Sequence, residues 1–147
     1  MKKVNFQNNG QPAINDTNLN QMQDNIEEAI EEISQDTGWI NGTTIGNETN
    51  NQVRYRKVGN IVYISSMVYL SSAITISGMT TYPLFTLPDD CKPQFGIRDP
   101  LFAKGPDNVE QNHLMYQISS DGKVGILNST NTSKALNCFY FNTSYPV

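Results

Sequence analysis

Histidine occurs once in these 147 residues, at His113, and cysteine twice, at Cys91 and Cys138. One imidazole and two widely spaced thiols make neither a zinc-ligand spacing nor a Cys-x-x-Cys redox pair. The thiols read as buried side chains, joined in a disulfide only if the fold brings them together. No nucleophile elbow accompanies His113, and there is no P-loop, dinucleotide fingerprint or EF-hand loop. The carboxylate pairs belong elsewhere: Asp89-Asp90 follows Pro88 in a turn, and Glu27-Glu28 lies on a helix face. The sequence therefore assigns no catalytic residue, no cofactor and no metal, and the chain is expected to be non-enzymatic. Apolar runs are short as well. None approaches the roughly 18 residues of a membrane span, and Lys2-Lys3 lead into no apolar stretch, so neither membrane insertion nor a signal peptide is expected.

Basic residues are missing from Val4 to Val53, where eight acidic residues stand; from Arg54 onward eight basic residues face six acidic ones. The net charge of −4 thus belongs to the N-terminal third and argues against nucleic-acid binding. The one basic, aromatic cluster, Arg54-Tyr55-Arg56-Lys57, reads as a sheet face or protomer contact. Asparagine is abundant, at 18 residues, and suits turns better than helix interiors. Six Asn-x-Ser/Thr triplets follow from that composition by chance, and glycosylation is not expected.

Residues 1–15 read as extended, with Val4 and Phe6 alternating before Asn8-Asn9-Gly10-Gln11-Pro12 breaks any regular element. A helix follows, with Asn15, Asp16 and Thr17 all competent N-caps. Leu19, Met22, Ile26, Ala29 and Ile33 are spaced 3, 4, 3 and 4, an a/d heptad stripe that Ile30 widens. Gly38 is the expected C′ residue. Two heptads are too few to hold a coiled coil alone, yet the rest of the chain offers no second helix to cover the stripe. These five residues are the expected oligomer interface.

From Trp39 the periodicity becomes two. Residues 41–51 read as a polar loop. Gly59-Asn60 between Val53–Val58 and Ile61–Val68 marks a two-residue hairpin, its second strand apolar on both faces and so central. Further strands are expected at Ala73–Ser77, Leu84–Leu87, Leu101–Ala103, His113–Ile118, Val124–Leu127 and Ala135–Phe141, with an Asp121-Gly122 hairpin turn. The fold expected is mainly β: a short N-terminal coiled-coil-like helix in residues 1–38, then an antiparallel β-sandwich or jelly roll over 39–147.

Two segments resemble a known family. Pro12-Ala13-Ile14-Asn15, Leu19-Asn20-Gln21-Met22 and Ile26-Glu27-Glu28-Ala29 resemble the N-terminal helix of phage tail-fibre and receptor-binding (baseplate tip) proteins. Val53 to Tyr63 resembles the first hairpin of their C-terminal β domains. Leu87-Pro88, Lys92-Pro93 and Ser120 to Val124 follow in the same order. The resemblance implies a homotrimeric fibre tip on the virion of a phage infecting a Gram-positive host, assembled in the bacterial cytoplasm, joined to tail or baseplate proteins and adhering to a host cell-surface saccharide. A purely structural baseplate or decoration protein is the alternative, and a host-surface hydrolase the third. The family's binding residues vary, and none is transferred. On their own chemistry, Arg98, Asp99, Phe102, Asp107 and His113 are the expected ligand-binding set, around a Gly105-Pro106-Asp107-Asn108 loop tip at the end away from the helix.

Overall fold

The computed structural model describes residues 16–44 and 52–147. The extended leader expected at 1–15, and residues 45–51 of the expected loop, lie outside the described residues.

The heptad-patterned segment forms α1, Asp16–Ser34. It stops four residues short of Gly38 because a strand claims the chain first. Thr37 N–H donates to Lys57 O at 3.0 Å, Gly59 N–H donates to Gln35 O at 2.8 Å, and Asp36 bridges to Val58. Pairing then continues into β1, Ile40–Thr44, antiparallel to β2, Gln52–Val58. The expected loop at 41–51 is thus corrected over Asn41–Thr44: the edge of β2 supplies the hydrogen bonds that this Asn/Gly/Thr sequence does not signal.

Gly59, at φ +55°, turns β2 into β3, Ile61–Ile76, with Val58 opposite Ile61. The strand expected separately at Ala73–Ser77 is instead the far end of β3, beyond an irregularity between Tyr69 and Ile74. The remaining strands are β4 Thr81–Thr86, β5 Ile97–Pro100, β6 Phe102–Lys104, β7 Leu114–Ile118, β8 Lys123–Asn128 and β9 Lys134–Pro146. A 3-10 turn at Asp89–Cys91 follows Pro88. β5 had no sequence signal, since Ile-Arg-Asp-Pro neither alternates cleanly nor avoids proline. Its proline and that of β4 are tolerated because both strands lie at sheet edges. The Asp121-Gly122 hairpin forms between β7 and β8, with Gly122 at φ +86°.

All pairings are antiparallel, in a five-stranded sheet ordered β1-β2-β3-β9-β6 and a four-stranded sheet ordered β4-β8-β7-β5. One core lies between them. The larger sheet contributes Val53, Val62, Ile64, Val68, Phe139 and Phe141, and the smaller one Leu84, Leu114, Ile118, Val124 and Ile126. Two aromatic pairs span the sheets: Tyr116 stacks on Phe141 with centroids 4.7 Å apart, and Tyr55 on Phe85 at 5.8 Å. Leu101 is the corner between β5 and β6. Its N–H still donates to Leu114 O of the smaller sheet, and the next residue pairs with Tyr140 of the larger. Both cysteines are buried and free.

Asn128, fully buried, ties the far end of the two sheets together. Its Nδ2 donates to Ile76 O (3.1 Å), Ser77 O (3.3 Å) and Thr132 O (2.8 Å), and its Oδ1 accepts from Thr130 N–H (3.0 Å) and Oγ1 (2.8 Å). Leucine has nearly the same shape but leaves these buried groups without partners. Asn128→Leu is expected to cost about 2–4 kcal/mol, read as a lower urea midpoint at unchanged slope. An unshifted midpoint would show that water replaces the amide at no cost.

Candidate functional site

The stripe on α1 is not covered by the β body. Met22 is 50% exposed, Leu19 51%, Ile26 57%, Ile30 59% and Ile33 73%; Ala29 is half-buried. Around the stripe stand Asp24, Glu27, Glu28 and Glu31, all exposed, and the helix carries no basic residue. The helix is held at its C-terminal end, where a Cβ on Gly59 would stand 3.0 Å from Ile33 O. Just beyond, Arg56 grips Asp36 with both arms of its guanidinium, Nε to Oδ1 at 2.8 Å and Nη2 to Oδ2. The Arg56 bond first, and the Gly38 N–H second, hold the Asp36 carboxyl down at about 2.

The outward face of the larger sheet carries a second uncovered apolar surface. Tyr63, Met67 and Tyr69 alternate along β3, and Tyr140 lies opposite Met67 on β9; all four are exposed. Phe102 of β6 stacks on Tyr140 with centroids 4.7 Å apart, and Lys104 Nζ stands 5.8 Å from the Phe102 ring centre. Arg54 lies 4.6 Å over the exposed Trp39 ring. The basic cluster of the sequence is therefore divided among partners within the chain: Arg54 on Trp39, Arg56 on Asp36, and Lys57 on Asp90 at 2.9 Å.

The expected ligand-binding residues fall on different surfaces. Arg98 and Asp99 lie in β5 of the smaller sheet; Asp99 Oδ2 accepts the Tyr116 hydroxyl at 2.7 Å. Phe102 faces out from the larger sheet, against Tyr140. Asp107 caps its own turn, accepting Val109 N–H at 3.2 Å. His113 is exposed, at φ +66°, immediately before β7. The loop holding Asp107 does lie away from the helix, since Lys104 pairs with Cys138, far along β9 from the Ile61–Pro146 end. The structure does not gather the five into one site.

What the sequence did not signal is a groove on the outer face of the smaller sheet. One hollow of about 520 Å³ runs between Thr81 and Pro83 of β4 and Gln117 of β7, over Gly125 of β8. A second of about 520 Å³ adjoins it and extends to Arg98 of β5, sharing Gln117 and Ser119. At one end the hairpin sets an ion pair, Lys123 Nζ to Asp121 Oδ2 at 2.8 Å. Lys123 first, and the Ser119 hydroxyl second, hold the Asp121 carboxyl at about 2. Only the glycine in Lys-Val-Gly-Ile-Leu, an interruption in an apolar strand, hinted at it.

Among the described residues no group of three or more His, Cys, Asp or Glu could hold a metal, and no helix is long and apolar enough to cross a membrane. Comparison with protein-family models finds no match, and comparison with curated proteins finds none.

The Asp36–Arg56 pair gives a pH signature at the foot of the helix. The Asp36 pKa is depressed from 3.8 to about 2, so the pair's contribution is complete above pH 3.8, shrinks as the pH falls, and is gone below about 2. NMR titration of the Asp36 carboxyl is expected to give a midpoint near 2, moving towards 3.8 in Arg56→Gln. An unmoved midpoint in the variant would assign the depression to the Gly38 N–H alone.

Proposed function

We propose that this chain is a non-enzymatic structural protein of a phage tail: a homotrimeric receptor-binding fibre tip on the virion. Its N-terminal third joins the copies and attaches them to tail or baseplate proteins, and its β body adheres to a host cell-surface saccharide. In the finer reading, α1 is one strand of a short coiled coil and the two sheets form a jelly-roll sandwich.

The observation that carries this reading is the uncovered stripe of α1. Apolar side chains that are half to three-quarters exposed on one helix face leave water only when a second surface covers them, and among the described residues the β body does not. The same stripe on identical copies is self-complementary about a shared axis, and its heptad spacing suits parallel helices. Two heptads give too little area alone, so the β bodies must add contact. The order of helix and hairpin motifs, like that of phage tail-fibre proteins, supports the viral reading. Attachment through the N-terminal third follows from its acidity, which would suit a basic site on a tail protein.

The second reading is a purely structural baseplate or decoration protein. The broad aromatic face of the larger sheet favours it, because Tyr63, Met67, Tyr69 and Tyr140 form a surface better shaped for protein than for a small ligand.

Light scattering at micromolar concentration is expected to give three times 16.4 kDa, about 49 kDa. A monomer would sink the reading, and a dimer would move it to the structural alternative. Ile26→Asp is expected to yield monomers whose β body keeps its near-ultraviolet dichroism. The N-terminal third carries eight acidic residues in each copy, hence 24 in three. Raising salt is therefore expected to strengthen the trimer by screening their repulsion.

A further inference from the structure

We infer that the groove across the outer face of the smaller sheet is a ligand site, and that it takes an extended saccharide chain with its anionic group at Arg98. This rests on the saccharide-adhesion reading above and gives it a place in the fold. It replaces the loop tip around Asp107 as the binding surface.

The groove exists because of one residue. Gly125 stands opposite Pro83 on β4 and opposite Gln117 on β7. A Cβ there would come within 2.7 Å of Thr81 Cγ2 and of Tyr82 O. Glycine therefore lets β4 close over β8 while leaving a floor with no side chain. β4 is irregular at the same place, between Pro83 and Phe85, so its rim bends around the hollow.

The lining has unspent hydrogen-bonding capacity. The side chains of Thr81, Thr86, Gln117 and Arg98 make no hydrogen bond or ion pair with another described residue. Gln117 is half-buried where the two hollows meet, and its amide offers both a donor and an acceptor. A paired acceptor and donor beside hydroxyl side chains match the vicinal hydroxyls of a sugar, while Pro83 gives an apolar wall for its C–H face. Each hollow falls within the range of about 300–1,000 Å³ typical of ligand sites. Two such hollows in line, open to solvent, fit consecutive units of a chain rather than one compact molecule.

Charge sets the direction. Asp121 and Lys123 neutralise each other at the hairpin end. Among the described residues Arg98, in the second hollow, makes no ion pair and is the groove's uncompensated cation. A guanidinium presents parallel N–H donors to phosphate or carboxylate, so the anionic substituent belongs there and the neutral units lie over Gly125.

The test is binding of the wild-type protein to an array of neutral, carboxylated and phosphorylated bacterial glycans. Gln117→Trp, Gln117→Ala, Arg98→Ala and the far-loop double variant Asp107→Ala with His113→Ala are compared on the same array. All are first checked for unchanged mass and dichroism. The wild type is expected to prefer anionic glycans. Gln117→Trp, which fills the junction, should lose at least tenfold, and Gln117→Ala, which adds no bulk, a smaller part. Arg98→Ala should lose the preference for anionic over neutral glycans, and the far-loop variant should bind like wild type. Wild-type binding that both Gln117 variants retain would overturn the groove while leaving saccharide adhesion standing. Loss in the far-loop variant alone would return the site to that loop. A wild type that binds no glycan would overturn the adhesion reading itself.

Discussion

The pairing of β3 with β9 is the constraint on which the rest of the architecture depends. It runs from Ile61 opposite Pro146 to Ile76 opposite Lys134 and joins the middle of the chain to its last residues. β2 lies on one side of it through the Gly59 hairpin, and β6 on the other through the outer edge of β9. The inward residues of these two strands, from Val62 to Phe141, make the floor on which the smaller sheet packs. The ladder even accommodates the buried Ser66 hydroxyl, which accepts Phe141 N–H at 2.9 Å. A contact between residues so far apart carries a high loop-closure cost. A sheet closed by such long-range pairing is expected to fold more slowly than one built from local contacts alone.

The two surfaces of the larger sheet serve different purposes, and strand alternation separates them. On β2, Val53 and Tyr55 face the core, the latter against Phe85 of the other sheet. Arg54 and Arg56, between and after them, reach Trp39 and Asp36 on the segment that leads out of the helix. The same alternation thus holds the core and anchors the helix. The anchor holds the C-terminal end of α1 at one end of the body, where its acidic, apolar-striped surface is left without a partner among the described residues. The smaller sheet uses its outer face differently, with a glycine floor and unspent polar side chains in place of the aromatic surface opposite.

Much of the fold was legible in the sequence because its signals are local. Heptad spacing from Leu19 to Ile33 specified a helix with one sticky face, since helical period and side-chain chemistry are properties of neighbouring residues. Gly59-Asn60 and Asp121-Gly122 marked both tight hairpins, since positive φ restricts residue choice at the turn itself. β1, β5 and the extents of β3, β4 (Thr81–Thr86 against the expected Leu84–Leu87) and β9 (Lys134–Pro146 against Ala135–Phe141) were not legible. Asn41-Gly42-Thr43-Thr44 becomes a strand only because β2 offers it a free edge, and Ile97–Pro100 because β7 does.

The candidate site divides in the same way. The apolar stripe on α1 was readable, because it is written in local spacing. The separation of the candidate ligand residues was not. Arg98, Asp99, Phe102, Asp107 and His113 share a stretch of sequence, but the chain crosses from one sheet to the other at Leu101 and carries them to different faces. Conversely, Pro83, Arg98, Gln117 and Gly125 come from four strands and meet only because sheet order sets β4, β8, β7 and β5 side by side. The sequence by itself determined the helix, its stripe, the two hairpins and the β-rich character, all governed by interactions between near neighbours. Only the tertiary structure decided which strands pair, which faces stay open and where a groove forms, because those depend on long-range registers that no local pattern encodes.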